Sequence, residues 1–141
     1  MKNRIFWRHA QADWGMDDLS RALTKLGHQQ AHASANWLQK QEITFPIYCS
    51  EALRGQQTAQ YYDTPIALAG LNPDGAFSVV EKTLNSITDD SAIIVGHLPW
   101  IGQIVGGLLE TNGYIAVNYS EVFWLTSEDE SHWQLKAHFL N

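Results

Sequence analysis

Basic residues are scarce in this chain of 141 residues. Nine lysines and arginines stand against fifteen aspartates and glutamates, for a net charge of −6 and a pI near 5.4. That balance argues against a chain-wide electrostatic grip on nucleic acid. It leaves room for a local cationic pocket that would hold a phosphate group. Cysteine is almost absent: with Cys49 alone, no internal disulfide can form, which suits a reducing compartment. No apolar run is long enough to span a membrane. The basic start Met1-Lys2-Asn3-Arg4 lacks the long apolar stretch of a secretory leader, because Arg8 and His9 interrupt the run that follows. A cytoplasmic location is the expectation. Repeats, linkers and low-complexity segments are also missing. With 45% hydrophobic residues, the length fits one domain over residues 1–141 with a substantial core.

Short apolar segments alternate with helical periodicity. Residues 3–8 are apolar and aromatic and read as a buried strand that stops abruptly on Arg8-His9. Gln11 to Asp18 is a loop. Leu19, Leu23 and Leu26, then Ala31, Ala35 and Leu38, recur every three to four residues. With Thr24 as a cap, the main helix is predicted at about 24–41. Pro46 to Cys49 is the second strand, and Glu51 to Tyr62 the next helix, ended by Asp63-Thr64-Pro65. Pro65 to Gly75 is a loop or weak strand. Phe77, Val80, Leu84 and Ile87 mark an amphipathic helix capped by Asp74. Ala92 to Gly96 is the clearest buried strand. It ends at His97, and Pro99 opens a helix through about Leu109. Tyr114 to Val117 is ambiguous. Val122 to Thr126 and Trp133 to Leu140 form two strands around the polar turn Ser127 to Ser131. This alternation predicts an α/β fold, a three-layer α/β/α sandwich with a largely parallel mixed sheet and hairpin character at one side.

Three of these strands end on chemically able residues. The first delivers Arg8 and His9, the second Ser50 and, one helical turn later, Arg54, and the fourth His97. In a parallel sheet these ends share one edge, where open α/β sheets bind ligands. Two arginines and two histidines would converge there with little counter-charge, a cluster that an anion stabilises. Guanidinium forks match phosphate oxygens bidentately, and the helix after each strand points its N-terminus at the same edge. A neutral imidazole can also attack phosphorus to give a covalent phosphohistidine. The arginines and the second imidazolium would stabilise charge on the equatorial oxygens.

Four ordered blocks carry a family resemblance. Arg8-His9-Ala10 resembles the Arg-His-Gly signature of the histidine phosphatase superfamily. Arg21-Ala22-Leu23-Thr24-Lys25-Leu26-Gly27 resembles its Arg-x-Leu-Thr-x-x-Gly segment, continued by Ala35-Asn36-Trp37-Leu38. Ser50 to Thr58 resembles the Ser-x-x-x-Arg-x-x-Gln-Thr block, and Gly96-His97-Leu98-Pro99 with Ile101-Gly102 the second-histidine block. The compact size and the His-Leu-Pro variant are most similar to SixA-type phosphohistidine phosphatases within this phosphoglycerate mutase-like superfamily. The resemblance implies a small histidine phosphatase-like fold without a lid insertion, and a phosphatase working through phospho-His9 on phosphomonoesters or phosphoramidates. It implies His9 as nucleophile, with Arg8, Arg54 and His97 binding the phosphoryl group. Ser50 is weighed between the site and an N-cap of the following helix. Arg21 is weighed between phosphate binding and an ion pair with Asp17 or Asp18, and Thr58 between the site and loop support. The implied partner is a phosphorylated substrate, with a histidine-phosphorylated protein domain fitting best. Nucleic acid, membrane, metal and organic cofactor are not expected.

Two departures qualify the match. Ala10 replaces the usual glycine, so the pocket is expected to tolerate it with somewhat less space. The family's acid positions, before the middle helix and after the second histidine, hold Gly70 and Leu98. Glu81 falls within the helix rather than on the loop. A missing general acid costs about 10²–10⁴ in rate, least for leaving groups that depart readily, which favours phosphohistidine over alkyl phosphates. A catalytically weak phosphate- or protein-binding module of the same fold stays open, as does a phosphoglycerate mutase-like phosphotransferase. A phosphate label trapped on His9 discriminates the first, and a mutase assay the second. Elsewhere, His28 and His32 lie one helical turn apart but lack the glutamate of a zinc-protease helix. His132 and His138 read as surface residues, Glu128-Asp129-Glu130 as a solvated turn and Cys49 as inert core. Trp7 or Trp100 is placed at the pocket mouth.

Overall fold

The computed structural model describes residues 1–141. Ten regular elements follow one another: β1 (Lys2–Arg8), α1 (Lys25–Gln39), β2 (Ile47–Cys49), α2 (Leu53–Gln60), β3 (Ile66–Ala67), α3 (Phe77–Asn85), β4 (Ser91–Gly96), α4 (Trp100–Leu108), β5 (Val122–Ser127) and β6 (Gln134–Phe139). The strands form one mixed sheet in the order β3-β2-β4-β1-β5-β6. β1, β2, β3 and β4 run parallel, while β5 and β6 complete it as an antiparallel hairpin. The expected sandwich is borne out, with α1 and α2 on one face and α3 and α4 on the other.

Alternation along the central strands builds both layers. Ile5 and Trp7 of β1, Ile93 and Val95 of β4, and Val122 and Trp124 of β5 pack with Ala31, Ala35 and Leu38 of α1. The intervening Phe6, Ile94 and Phe123 pack with Val80 of α3 and Trp100, Ile101 and Val105 of α4. A strand covered on both faces is apolar along its whole length, which is why β1 and β4 read as continuous runs. Cys49 belongs to this core at 0% exposure, and burial pushes its thiol up to about 11. No helix is long and apolar enough to cross a membrane.

Thr24 begins α1 as expected: its side-chain oxygen accepts the Gly27 N–H at 2.9 Å, and its own N–H donates to the Gln11 carbonyl at 3.0 Å. Gly27 serves that contact, because a Cβ there would lie 2.0 Å from the same carbonyl oxygen. The periodicity misled before Thr24. Leu19 lies on a short 3-10 turn, Asp18–Ser20, and both Leu19 (40%) and Leu26 (50%) are exposed rather than in a buried stripe. Asp74 does not cap α3. That helix starts at Phe77 after Ala76, without a side-chain cap. Trp7 and Trp100 are buried at 0% and 1%, so neither stands at a pocket mouth; Trp14, at 83%, is the exposed tryptophan.

Candidate active site

Parallel register gathers the strand ends. Arg8 pairs with Gly96, and the His9 N–H donates to the Gly96 carbonyl at 3.1 Å, so the two histidines sit side by side with ring centroids 4.9 Å apart. β2 lies on the other side of β4, which puts Ser50 beneath His97, with Oγ 2.6 Å from Nε2. Gly55, in the first turn of α2, keeps that spot open: a Cβ would lie 3.2 Å from Ser50 Oγ and 3.6 Å from His97 Nε2. Arg54 precedes it, buried at 4% exposure.

Hydrogen-bond accounting assigns the protons. His9 Nδ1 lies 2.7 Å from the Ala10 carbonyl oxygen. A carbonyl only accepts, so Nδ1 carries the hydrogen and Nε2 keeps its lone pair. Ser50 Oγ already accepts the Ala52 N–H at 3.1 Å. Its hydroxyl hydrogen has His97 Nε2 as its one acceptor, which places the His97 hydrogen on Nδ1. Burial, opposed by the Ala10 carbonyl and reinforced by the charges of Arg54, Arg8 and Arg21, pushes His9 down to about 3. Burial, then His9, Arg54 and Arg8, holds His97 well below its ordinary value. Both rings are neutral at pH 7. His97 is thus an N–H donor and not the imidazolium expected from the sequence, because burial and the two arginines disfavour a further charge there.

The arginines are held at their tips. Arg54 donates through Nη1 to the Asp18 carbonyl at 2.7 Å and through Nη2 to the Asp18 carboxylate at 3.2 Å. Burial raises the Asp18 carboxyl, but Arg54 and then Arg21 outweigh it and hold it below the usual range. Arg8 donates through Nη1 to the Val117 carbonyl at 2.9 Å and lies over the Tyr119 ring at 4.2 Å. Four buried side-chain nitrogens of the whole chain have no hydrogen-bond partner: Arg8 Nε, Arg54 Nε, His97 Nδ1 and Trp100 Nε1. Three of them belong to the cluster. An unmatched buried donor costs about 1–3 kcal/mol, and natural sequences keep such donors where something accepts from them.

Arg8, His9, Arg54 and His97 thus come together, with Ser50 behind His97 rather than capping α2, whose N-cap is Ala52. Arg21 sits outside the cluster: it donates to the Asp13 carbonyl at 2.7 Å and to Asp18 at 3.3 Å, so it braces the loop that braces Arg54. Thr58 Oγ1 accepts the Ala10 N–H at 3.0 Å and donates to the Arg54 carbonyl at 2.8 Å, joining the loop after β1 to α2. Ala10 has no positive φ and is fully buried, so alanine fits without strain. The Arg21–Asp18 ion pair is present as one of the expected alternatives. The Asp18 contact with Arg54 and the place of Tyr119 went unread in the sequence, because each arrives on an irregular loop without periodicity. Tyr119 stands 6.0 Å from the His9 ring. It precedes Ser120, which adopts φ 60° and is bonded to Trp7, Ser34 and Gln30. Backbone strain of this kind, about 1–3 kcal/mol, persists where the surroundings fix it.

Glu81 lies far from the cluster, lining a cavity of about 450 Å3 with Lys2 and Arg4 at the opposite end of β1. His28 and His32 flank Tyr61, the former with Nδ1 2.7 Å from its hydroxyl. His138 is only half exposed and pairs with the buried Glu121, whose carboxylate also accepts the Asn118 N–H at 2.8 Å.

Comparison with known proteins agrees with this fold. The model of the histidine phosphatase superfamily, branch 1, matches residues 5–69, which include Arg8, His9, Ser50 and Arg54. No curated protein matches the sequence. A protein histidine phosphatase SixA solved with tungstate shares 23% identity and a TM-score of 0.83, over 97% of this chain and 96% of that one. A candidate phosphohistidine phosphatase SixA from Agrobacterium tumefaciens shares 18% identity and a TM-score of 0.85, over 99% and 98%. A mutant phosphoserine phosphatase from Entamoeba histolytica, bound to phosphoserine, shares 18% identity and a TM-score of 0.73, over 98% and 96%. The resemblance carried by the four sequence blocks is borne out, and the fold is the one these phosphatases share.

Proposed function

We propose, on a chain with the histidine phosphatase fold, that this protein is a phosphatase that forms a covalent intermediate on His9 and prefers phosphohistidine on proteins. The observation that carries the reading is the set of three unmatched buried donors, on Arg8, Arg54 and His97, around a neutral histidine with a free Nε2. The tungstate held by the SixA neighbour is a tetrahedral oxyanion of the same shape as phosphate.

The chemistry follows from the protonation states. His9 Nε2 attacks phosphorus with its lone pair, and the new N–P bond forms as the bond to the leaving group breaks. The unmatched N–H groups of Arg8, Arg54 and His97 donate to the equatorial oxygens, where charge builds in the transition state. The Ala10 carbonyl keeps the His9 hydrogen on Nδ1 throughout. Water then attacks the phospho-His9, releasing inorganic phosphate and restoring the Nε2 lone pair.

No carboxylic acid stands ready to protonate a leaving oxygen: Asp18 is held as a carboxylate by two arginines, and the two family acid positions are Gly70 and Leu98. An alkoxide would therefore leave unaided. A phosphorylated imidazole can take a solvent proton on its other ring nitrogen near neutral pH and depart as neutral imidazole. This difference favours phosphohistidine over a sugar phosphate by about 10²–10⁴, the usual worth of a general acid.

Brief incubation with labelled phosphoimidazole, followed by denaturation and peptide mapping, should find acid-labile, alkali-stable phosphate on His9. The label and turnover should both vanish in His9→Ala. Equal turnover of phosphoimidazole and a sugar phosphate would overturn the phosphoramidate preference, and labelling that survives His9→Ala would overturn the nucleophile.

A further inference from the structure

The loop between β1 and α1 displays two large apolar side chains that no packing explains. Met16 is 91% and Trp14 83% exposed, more than any other large hydrophobic residue of the chain. The other five tryptophans are buried or half-buried. The loop is nevertheless pinned. Ala12 bridges Leu23, the Asp13 N–H donates to the Ala22 carbonyl at 2.8 Å, and Arg21 Nε donates to the Asp13 carbonyl at 2.7 Å. The Ser20 hydroxyl closes the far side on Asp17 at 2.6 Å. A loop already pinned in this way loses little backbone entropy when its side chains are covered.

The loop is also part of the pocket, because Asp18 holds Arg54. Met16 and Trp14 lie two and four residues before Asp18, so chain geometry keeps their Cα atoms within roughly 7 and 14 Å of it. A protein contact of ordinary size covers about 800 Å2 on each partner, a disc roughly 16 Å in radius. A protein that inserts a phosphorylated side chain between Arg8, His9 and Arg54 has a footprint wide enough to reach this tip. A small phosphate ester fills only the pocket and leaves the tip in water.

Charge defines the partner further. Asp13 and Asp17 flank Trp14 and Met16, and none of the five ion pairs of the chain involves either of them. Arg21, the nearby cation, is occupied by Asp18. The tip is therefore apolar at its centre and negative at its rim. Tryptophan and methionine are enriched in the cores of protein interfaces, and an acidic rim selects a basic surface.

We propose that the Trp14–Met16 tip is the docking surface for a phosphoprotein substrate that carries an apolar patch ringed by lysine or arginine beside its phosphorylated residue. This rests on the phosphatase reading above for the identity of the inserted group, while the docking surface can be measured without turnover.

The test uses two fluorescein-labelled peptides with one phosphohistidine each, flanked by leucine and lysine in one and by serine and glutamate in the other. Anisotropy on the intact His9→Ala protein reads binding without turnover. The leucine-lysine peptide should bind at least about tenfold more tightly, and Trp14→Ser with Met16→Ser should remove about tenfold of that affinity, the worth of one or two interface anchors. Asp13→Asn should weaken it less and flatten its salt dependence. Val79→Ser, at a 48% exposed position on α3, should change nothing. In the protein with His9 intact, Trp14→Ser with Met16→Ser should raise KM for the peptide and leave phosphoimidazole turnover unchanged. Equal binding of the two peptides, an equal loss with Val79→Ser, or a matching loss of phosphoimidazole turnover would each overturn the docking surface. A protein that binds the leucine-lysine peptide selectively yet never turns over phosphoimidazole would uphold the docking surface and sink the phosphatase reading.

Discussion

β1 carries an arginine near each end, Arg4 buried and Arg8 half-buried, and the two ends differ in what their guanidinium groups touch. Arg4, at 9% exposure, donates to the carbonyls of Asn3, Asp90, Ile87 and Asp89, and none of its buried nitrogens lacks a partner. At the other end Arg8 and Arg54 share their surroundings with two neutral histidines, and each leaves Nε unmatched. The cavity of about 450 Å3 lies at the Arg4 end, yet none of the buried side-chain nitrogens left without a partner belongs to its lining. Space marks one end of the strand and unmet hydrogen-bonding capacity the other, and chemistry belongs with the second. Arg4 ties the turn before β4 to the sheet; Arg8 and Arg54 are held at their tips and left free along one edge.

Exchanging the two kinds of arginine for methionine gives the largest effects and the sharpest separation. Arg54→Met should lower kcat/KM for phosphoimidazole by about 10²–10³, the usual cost of one transition-state donor. Its unfolding free energy should fall by less than that of Arg4→Met, since the two bonds lost to Asp18 are offset by relief of the repulsion from Arg8. Arg4→Met should do the reverse: about 2–4 kcal/mol less stable in urea, because several carbonyls lose their donor, with turnover per folded molecule unchanged. Loss of turnover in stable Arg4→Met protein would erase the distinction.

Anion binding should follow the same division. Tungstate or phosphate at about one hundred times its Kd should stabilise the protein by about 2.7 kcal/mol, read as a rise in melting temperature. Arg54→Met should lose most of that rise and Arg4→Met should keep it. Stabilisation that survives Arg54→Met would place the anion elsewhere.

The sequence separates the two ends only in part. Strand direction and the neighbouring His9 mark the Arg8 end as the one that meets a ligand, but nothing beside Arg4 shows that it ties carbonyls. The cluster was legible because each of its members follows a parallel strand, and such ends converge by topology, which is enough to bring Ser50, Arg54 and His97 to the Arg8 edge. Thr24 was legible as a cap because its bond is local. The contacts of Asp18 with Arg54 and of Tyr119 with Arg8 were not, since each is made across a long sequence separation from a loop whose path no periodicity encodes. The Asp74 cap failed for a related reason: an acid near a helix start is only a candidate, and the backbone turned at Ala76 instead.

Acid should destabilise the His9 end and leave the other indifferent. His9 titrates at about 3 in the folded chain and near 6.5 when unfolded. The unfolded chain therefore takes up a proton as pH falls through about 6.5, the native chain does not, and stability drops on acidification. His97 is shifted in the same direction. Between pH 7 and 5, His9 should account for roughly 2 kcal/mol of lost stability, measurable by urea unfolding at the two values. His9→Asn should flatten the slope by that amount, and Arg4→Met should leave it intact. The rate on a pH-independent substrate should show no acid limb in this window, because His9 stays neutral.

Tyr119 gives the smallest effect and the finest test. Its ring lies 4.2 Å from the Arg8 guanidinium, a contact worth about 0.5–2 kcal/mol, and Arg4 has no aromatic counterpart. Tyr119→Leu removes the π-face while Nη1 of Arg8 stays bonded to the Val117 carbonyl, so the guanidinium keeps one tether and loses the surface that sets its tilt. KM for phosphoimidazole should rise by about three- to tenfold, with kcat falling less. Tyr119→Phe, which keeps the face and loses only the hydroxyl, should restore the wild-type KM. If Phe were as damaging as Leu, the hydroxyl would be the working group, and Arg8 would be oriented by a hydrogen bond rather than by the ring.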